Sequence, residues 1–356
     1  MHFNMKAFIE KIFSPAENEV FTIMTDLPEK PEQDTAEWSD RRKMAAEWLD
    51  MVNEVAGEWG LKVNPLVTYK ATGNQNTALP EKCMVGVNEA VTEDIIKNST
   101  IILSMPEFSA TAPLYNYSLH SERLRVGSMP GVARFMEDTG LAADYGEIAD
   151  KCNALIRILK DCIGAEVTFS TGHKCYFDLG KNKFYGDDGM LQPENGGTEK
   201  SCSNLPAGEV YTVPNEEQGS LTGGELPFSE GEDKGVFIVS ENRIIEVQGN
   251  SSGAAELRKK MEEDPAWCNI AEFAIGVNEM ATVTGNILQD EKAGFHWAFG
   301  LSDHLGGTTG EDKFNSPENV IHRDFVYAKG NDIECSLLEI IFPDGSRQTL
   351  IRDGEL

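Results

Sequence analysis

Apolar positions change period several times along the first 145 or so residues. Residues 19–25 form a short apolar run and predict a strand. Residues 38–59 predict a helix, because Met44, Trp48, Met51, Val52, Val55 and Trp59 recur at spacings of three and four, and Gly60 follows as a stop. Further strands are predicted at residues 63–69, 99–105 and 124–129. The 99–105 segment has few polar positions, as expected of a strand covered on both faces. This alternation of strand and helix predicts a doubly wound, mostly parallel sheet.

A helix at about 145–163 follows, with Ile148, Cys152, Leu155, Ile156 and Leu159 on one stripe. We read it as the link between two domains, residues 1–150 and residues 151–356, because 356 residues exceed what one hydrophobic core usually serves. Beyond the link the segments become short, glycine-rich and β-rich, at 165–171, 235–239, 243–247, 334–342 and 347–351, with one helix near 254–263. Pro343-Asp344-Gly345-Ser346 predicts a hairpin turn between the last two strands. Residues 180–235 read as long loops. The fold class is therefore α/β, with an N-terminal doubly wound sheet and a C-terminal α+β domain.

Composition removes several functions. The formal net charge is −28, so phosphate backbones and anionic membrane surfaces repel this chain, and neither nucleic acid nor membrane is an expected partner. No G-x-G-x-x-G follows a strand and no phosphate-binding P-loop motif is present, which argues against a nucleotide role for the parallel sheet. The seven cysteines form no C-x-x-C pair, and the first eleven residues are too charged for a signal peptide. A reduced, cytoplasmic protein is the expectation.

The candidate chemistry gathers in the second half. Three of the six histidines are His296, His304 and His322. His322-Arg323-Asp324 is a His-x-Asp, and on a strand alternate side chains share a face, so the imidazole and the carboxylate lie side by side with Arg323 on the other face. Glu209 stands among apolar neighbours in N-L-P-A-G-E-V-Y-T-V-P, Glu272 in A-E-F-A-I-G-V-N and His296 in D-E-K-A-G-F-H-W-A-F-G. An ionised carboxylate in apolar surroundings is costly unless it is paired or bound to a metal. Two glutamates, two histidines and an aspartate exceed one tetrahedral zinc and suit two divalent ions bridged by a carboxylate and a water. His173 is a weaker candidate, His2 and His120 carry no context, Lys292 after two acids reads as solvated, and Arg323 reads as the partner of an acidic neighbour.

These four strings, in their order and spacing, resemble the thermophilic aminopeptidase family, the aminopeptidase T and aminopeptidase S type, over about residues 165–356. The resemblance implies an α/β N-terminal domain, a two-metal C-terminal domain, a homodimer, a short-peptide substrate and zinc or cobalt as the metal. It implies Glu209, Glu272, His296, His322 and Asp324 as ligands, with one of the glutamates as proton acceptor. Where the family places a tyrosine seven residues after the first histidine, this chain has Asp303, followed by His304; Asp303 would ligate or His304 would act in its place.

Two other readings stay open. A branch of the same fold consists of iron(II) dioxygenases that cleave dihydroxypyridine rings with a single metal on two histidines and a carboxylate. His322 and Asp324 fit two of those positions, but Glu272 stands where that branch has a histidine. Retention of both Glu209 and Glu272 favours the two-metal hydrolase. A non-catalytic protein that keeps a metal pocket is the third reading, and the Asp303 change is its support.

Overall fold

The computed structural model describes residues 3–356, so His2 lies outside the described residues. The chain divides into two compact units. The first comprises the residues up to Ala149 together with Asp187–Ala207, and the second comprises Asp150–Gly186 and Gly208–Leu356. The division at Ala149 falls inside the helix Tyr145–Leu159, while the segment Asp187–Ala207, which the sequence allots to the second half, returns to the first unit.

The first unit is built on an eight-stranded α/β sheet. Val20–Leu27 lies at its centre, parallel to Ile101–Ser104 on one side and to Val67–Lys70 on the other. Arg125–Ser128 and Cys202–Asn204 extend it in parallel beyond Ile101–Ser104. An antiparallel hairpin, Lys82–Val85 and Asn88–Val91, which the periodicity does not announce, closes the other edge. The predicted 63–69 strand is two pieces, Lys62–Val63 and Val67–Lys70, separated at Pro65, which has no N–H to donate to the ladder.

Helix Ala36–Trp59 forms as its stripe predicts. Thr35 accepts from the Trp38 N–H to cap its start, and Gly60 at φ 67° ends it in the left-handed conformation that glycine adopts without strain. Trp38, Met44, Ala45, Trp48 and Val52 on its inner stripe are buried, each large side chain contributing about 1.5–3 kcal/mol. At the carboxyl ends of the central strands, where doubly wound sheets usually bind ligands, the loop after Lys70 bonds to the loop after Ser104. Gln75 Oε1 accepts from the Ser109 N–H at 2.5 Å, and Asn76 Oδ1 accepts from the Ala112 N–H at 3.0 Å and the Ser109 hydroxyl at 2.9 Å.

The second unit is a sandwich of two antiparallel sheets. A seven-stranded sheet runs, in spatial order, Arg243–Gln248, Asp233–Ser240, Gly223–Glu230, Lys174–Asp178, Gly164–Phe169, Cys335–Ile341 and Arg347–Arg352. A five-stranded sheet runs Tyr185–Asp187, Glu209–Thr212, Ile270–Gly276, Phe295–Gly300 and His322–Val326. Residues 180–235 are thus not simply long loops: they supply strands to both units. Their alternation is too short to read without the partner strands.

Between the two sheets lies an aromatic layer. Phe177 meets Phe273 with ring centroids 5.2 Å apart, Phe237 meets Trp297 edge-on at 5.6 Å, and Trp297 stacks on Phe325 at 5.2 Å. Such pairs contribute about 0.5–1.5 kcal/mol each beyond the area they bury. This layer occupies one face of the five-stranded sheet and leaves the other face for different residues. Among the described residues, no helix is long and apolar enough to cross a membrane.

Candidate metal centre

Strand register decides which side chains share the free face. In an antiparallel pair, residues directly opposite each other point to the same side. Glu209 lies opposite Gly276, Ala274 opposite His296, Glu272 opposite Ala298, Ala298 opposite Asp324, and Gly300 opposite His322. Glu209, Glu272, His296, His322 and Asp324 therefore project from one face across four strands, and Phe273, Phe295, Trp297 and Phe325 project from the other. The positions between the five are Ala274, Gly276, Ala298 and Gly300, which carry at most a methyl group and leave room above the sheet.

The tightest group is Glu272, His322 and Asp324, each offering one ligand atom within 4.8 Å of the others. His322 Nε2 is 3.0 Å from Glu272 Oε2 and 3.5 Å from Asp324 Oδ1. Its other nitrogen, Nδ1–H, donates to the Leu301 carbonyl at 2.7 Å, which orients the ring and leaves Nε2 toward the carboxylates. His296 repeats the device: Nδ1–H donates to the Gly294 carbonyl at 3.2 Å, and Nε2 lies 3.2 Å from Glu209 Oε2. That approach lacks hydrogen-bond alignment, so Glu209 Oε2 is a buried oxygen without a hydrogen-bond partner. A buried carboxylate oxygen facing an imidazole nitrogen is a donor pair of the kind a divalent cation takes. The donor set, oxygen and imidazole nitrogen, fits a divalent ion.

The structure also corrects the reading of Lys292. Lys292 is fully buried, not solvated. Its Nζ donates to Glu209 Oε1 at 2.6 Å and pairs with Glu291 Oε1 at 2.8 Å. Glu291 is a member of the centre that sequence reasoning missed. The apolar-run signal that marked Glu209 and Glu272 fails in D-E-K, where three charges stand together. Arg323, as expected, points away and pairs with Glu230.

Electrostatics follow from burial and neighbours. Burial works against ionisation of Glu209, but the Lys292 ammonium and His296 outweigh it and hold its pKa down to about 2. Burial pushes Glu291 up to about 8; the Glu209 and Asp324 charges add to it, and Lys292 only partly offsets them. Burial opposes the charged form of both imidazoles, yet Glu209 raises His296 to about 9, and Asp324 with Glu272 holds His322 well above the ordinary value. Burial opposes ionisation of Asp324 as well, and His322 outweighs it to lower its pKa.

The remaining candidates divide. The His304 ring meets His322 edge-on at 4.9 Å between centroids, so His304 borders the centre. Partial burial, then the charge of His322, pushes its pKa below the ordinary imidazole value, and a third of the side chain reaches solvent. Asp303 is not brought to the donor group: its side chain is half exposed and its carboxylate faces His304 Nδ1 at 3.9 Å. His173 bonds to Thr171 Oγ1 in a turn, and His120 Nδ1 to the Asn116 carbonyl at a helix end. A cavity of about 410 Å³ between Asn18, Lys97 and Arg123 belongs to the first unit and contains none of the donors.

Gly276 fits only without a side chain. A Cβ there would sit 2.4 Å from the Lys292 carbonyl carbon and 2.6 Å from the Glu291 oxygen, both backbone atoms. Gly276→Ala must push the Glu291–Lys292 backbone away from the sheet. The expected result is a loss of about 1–3 kcal/mol, read as a lower urea midpoint, together with reduced metal retention; wild-type values for both would show that the backbone yields freely.

No family model matches the chain, and no curated protein matches it. Solved structures do. The 2,5-dihydroxypyridine dioxygenase of Pseudomonas putida KT2440 is similar at TM-score 0.61 and 15% identity, over 99% of this chain and 96% of that one. Wild-type AmpT from Thermus thermophilus is similar at TM-score 0.57 and 16% identity, over 99% and 97%. At these identities the likeness is one of fold, and it extends over the whole chain.

Proposed function

We propose that the chain is a divalent-metal-dependent aminopeptidase that releases N-terminal residues from short peptides. One observation carries the reading: three carboxylates and two imidazoles, Glu209, Glu272, Asp324, His296 and His322, stand on one face of a single sheet, with Glu209 Oε2 buried 3.2 Å from His296 Nε2. The fold likeness to AmpT, an aminopeptidase T, is consistent with it. Glu272, His322 and Asp324 would hold one ion, and Glu209 with His296 would hold a second, zinc or cobalt. A bound divalent ion supplies Lewis acidity, polarising the scissile carbonyl and acidifying a water. The chain supplies the rest. One of the ligand glutamates, Glu209 or Glu272, would accept the water's proton. Lys292 keeps Glu209 and Glu291 from repelling each other. His304, at the edge of the centre, takes the place of the family tyrosine as a group facing substrate. A homodimer and a cytoplasmic setting belong to the same reading.

A second reading has its own support. The closest donors, Glu272, His322 and Asp324, suffice for a single ion, and Lys292 already neutralises Glu209 Oε1. A one-iron ring-cleaving dioxygenase would be compatible with that arrangement, and the other solved neighbour is named a 2,5-dihydroxypyridine dioxygenase. Metal content per chain separates the readings. About two zinc- or cobalt-type ions, falling to about one in Glu209→Ala, with cleavage of free but not N-acetylated peptides, is the expected result. About one iron, indifferent to Glu209→Ala, with oxygen uptake on a dihydroxypyridine, would replace the peptidase by the dioxygenase. No metal after reconstitution would leave a binding protein.

A further inference from the structure

We propose that Glu216 is a positioning residue whose carboxylate clamps the 301–310 loop and so seats His304 against His322; this deepens the metalloenzyme reading and rests on it. Glu216 follows the Glu209–Thr212 strand, about 90 residues away in sequence from the loop it grips. Its Oε1 accepts from the Ser302 hydroxyl at 2.5 Å, Asn269 Nδ2 at 2.7 Å and the Thr309 hydroxyl at 3.2 Å. Its Oε2 accepts from the Thr308 hydroxyl at 2.7 Å and from the Thr308 N–H. Five donors converge on one ionised side chain, and four of them belong to the loop. Charge-assisted bonds of this kind are the stronger class.

The loop is closed around that carboxylate. The Ser302 hydroxyl, which donates to Glu216, also accepts from the Thr309 N–H at 3.1 Å, and the Ser302 N–H donates to the Thr309 carbonyl at 2.9 Å. Gly307 lies so close that a Cβ there would come within 2.3 Å of Ser302 Oγ and 2.9 Å of Glu216 Oε2. The same loop serves the centre at both of its parts. Leu301 offers the carbonyl that orients His322, and His304, two residues past Ser302, places its ring 4.9 Å from that of His322. Glu216 is the acceptor for both Thr308 bonds, whereas Thr309 is also held to Ser302 by the backbone. On the outer side, Glu216, Asn269, Thr308 and Thr309 line a cavity of about 270 Å³, so the clamp has open space behind it into which a released loop can move.

The test uses the full metal-loaded chain and the variants Glu216→Gln and Ser302→Ala. The readouts are amide hydrogen exchange across 301–310, the ring resonances of His304 in histidine-labelled protein assigned with His304→Gln, and metal content. The expected result for Glu216→Gln is about tenfold or faster exchange confined to the loop, displaced His304 resonances and retained metal. Ser302→Ala reproduces it in weaker form. If either substrate reading is active, kcat falls while KM stays within about twofold. Unchanged loop exchange and an unmoved His304 signal in folded Glu216→Gln would overturn the proposal. If Glu216→Gln does not fold, Ser302→Ala decides by the same two readouts. Failure of the peptidase reading shows instead in wild-type metal content and substrate tests, which the clamp does not affect.

Discussion

His322→Ala is expected to strip metal from the chain and abolish the activity that depends on it, while leaving the fold intact. His322 is the nitrogen donor of the tightest group, 3.0 Å from Glu272 Oε2 and 3.5 Å from Asp324 Oδ1. Removing it leaves two carboxylates facing each other and deprives the Leu301 carbonyl of its donor. Losing an outer-shell partner alone typically costs about 10–100-fold in metal affinity, and losing the ligand itself should cost more. The strand survives because its ladder with Phe295–Gly300 is made by backbone, and the aromatic layer lies on the opposite face. Elemental analysis beside circular dichroism makes the check. Native-like spectra with unchanged metal content would remove His322 from the centre.

The second large effect falls far from that centre. Arg125 is fully buried in the parallel sheet and donates to Glu19, to the Phe13 carbonyl and, at 3.1 Å, to the Leu191 carbonyl. It thereby ties the helix Met5–Phe13 and the returning segment Asp187–Ala207 to the sheet of the first unit. Arg125→Ala leaves the Glu19 carboxylate buried and unpaired, which costs about 3–5 kcal/mol. For a unit of this size each kcal/mol lowers the melting point by about 2–4 °C, so a fall on the order of 10 °C is expected by calorimetry. Removing both charges with Arg125→Met and Glu19→Leu should recover much of the loss, because an apolar pair carries no stranded charge. A double variant no more stable than Arg125→Ala would mean that the guanidinium's bonds to the two carbonyls, not the ion pair, hold the unit together.

Much of the architecture was legible in the sequence because its signals are local. The Met44–Trp59 stripe, Gly60 and the apolar runs near 20, 101 and 125 each report the period of their own segment, and the elements appear there. The residue types of the centre were legible for the same reason: a carboxylate or imidazole inside an apolar strand is conspicuous without any partner. Lys292 was misread because burial is a property of the neighbours: Glu291 stands beside it in the chain, but Glu209 reaches it from a strand 83 residues earlier. Arg125 was hidden in a short apolar run, since the residues that pay for its charge, Glu19 and the Phe13 and Leu191 carbonyls, are remote in sequence.

The sequence by itself determined the α/β fold class, the three longest helices and about half of the strands, and it singled out Glu272, His322 and Asp324 as candidate metal donors. Only the tertiary structure decided that Glu209, Glu272, His296, His322 and Asp324 share one face, that Asp303 stays outside while Glu291 and Lys292 enter, and that residues 187–207 rejoin the first unit. Alternation within a strand is written every two residues, whereas the register between strands is set by ladders joining segments tens of residues apart, and a slip of one residue would send every ligand to the opposite face.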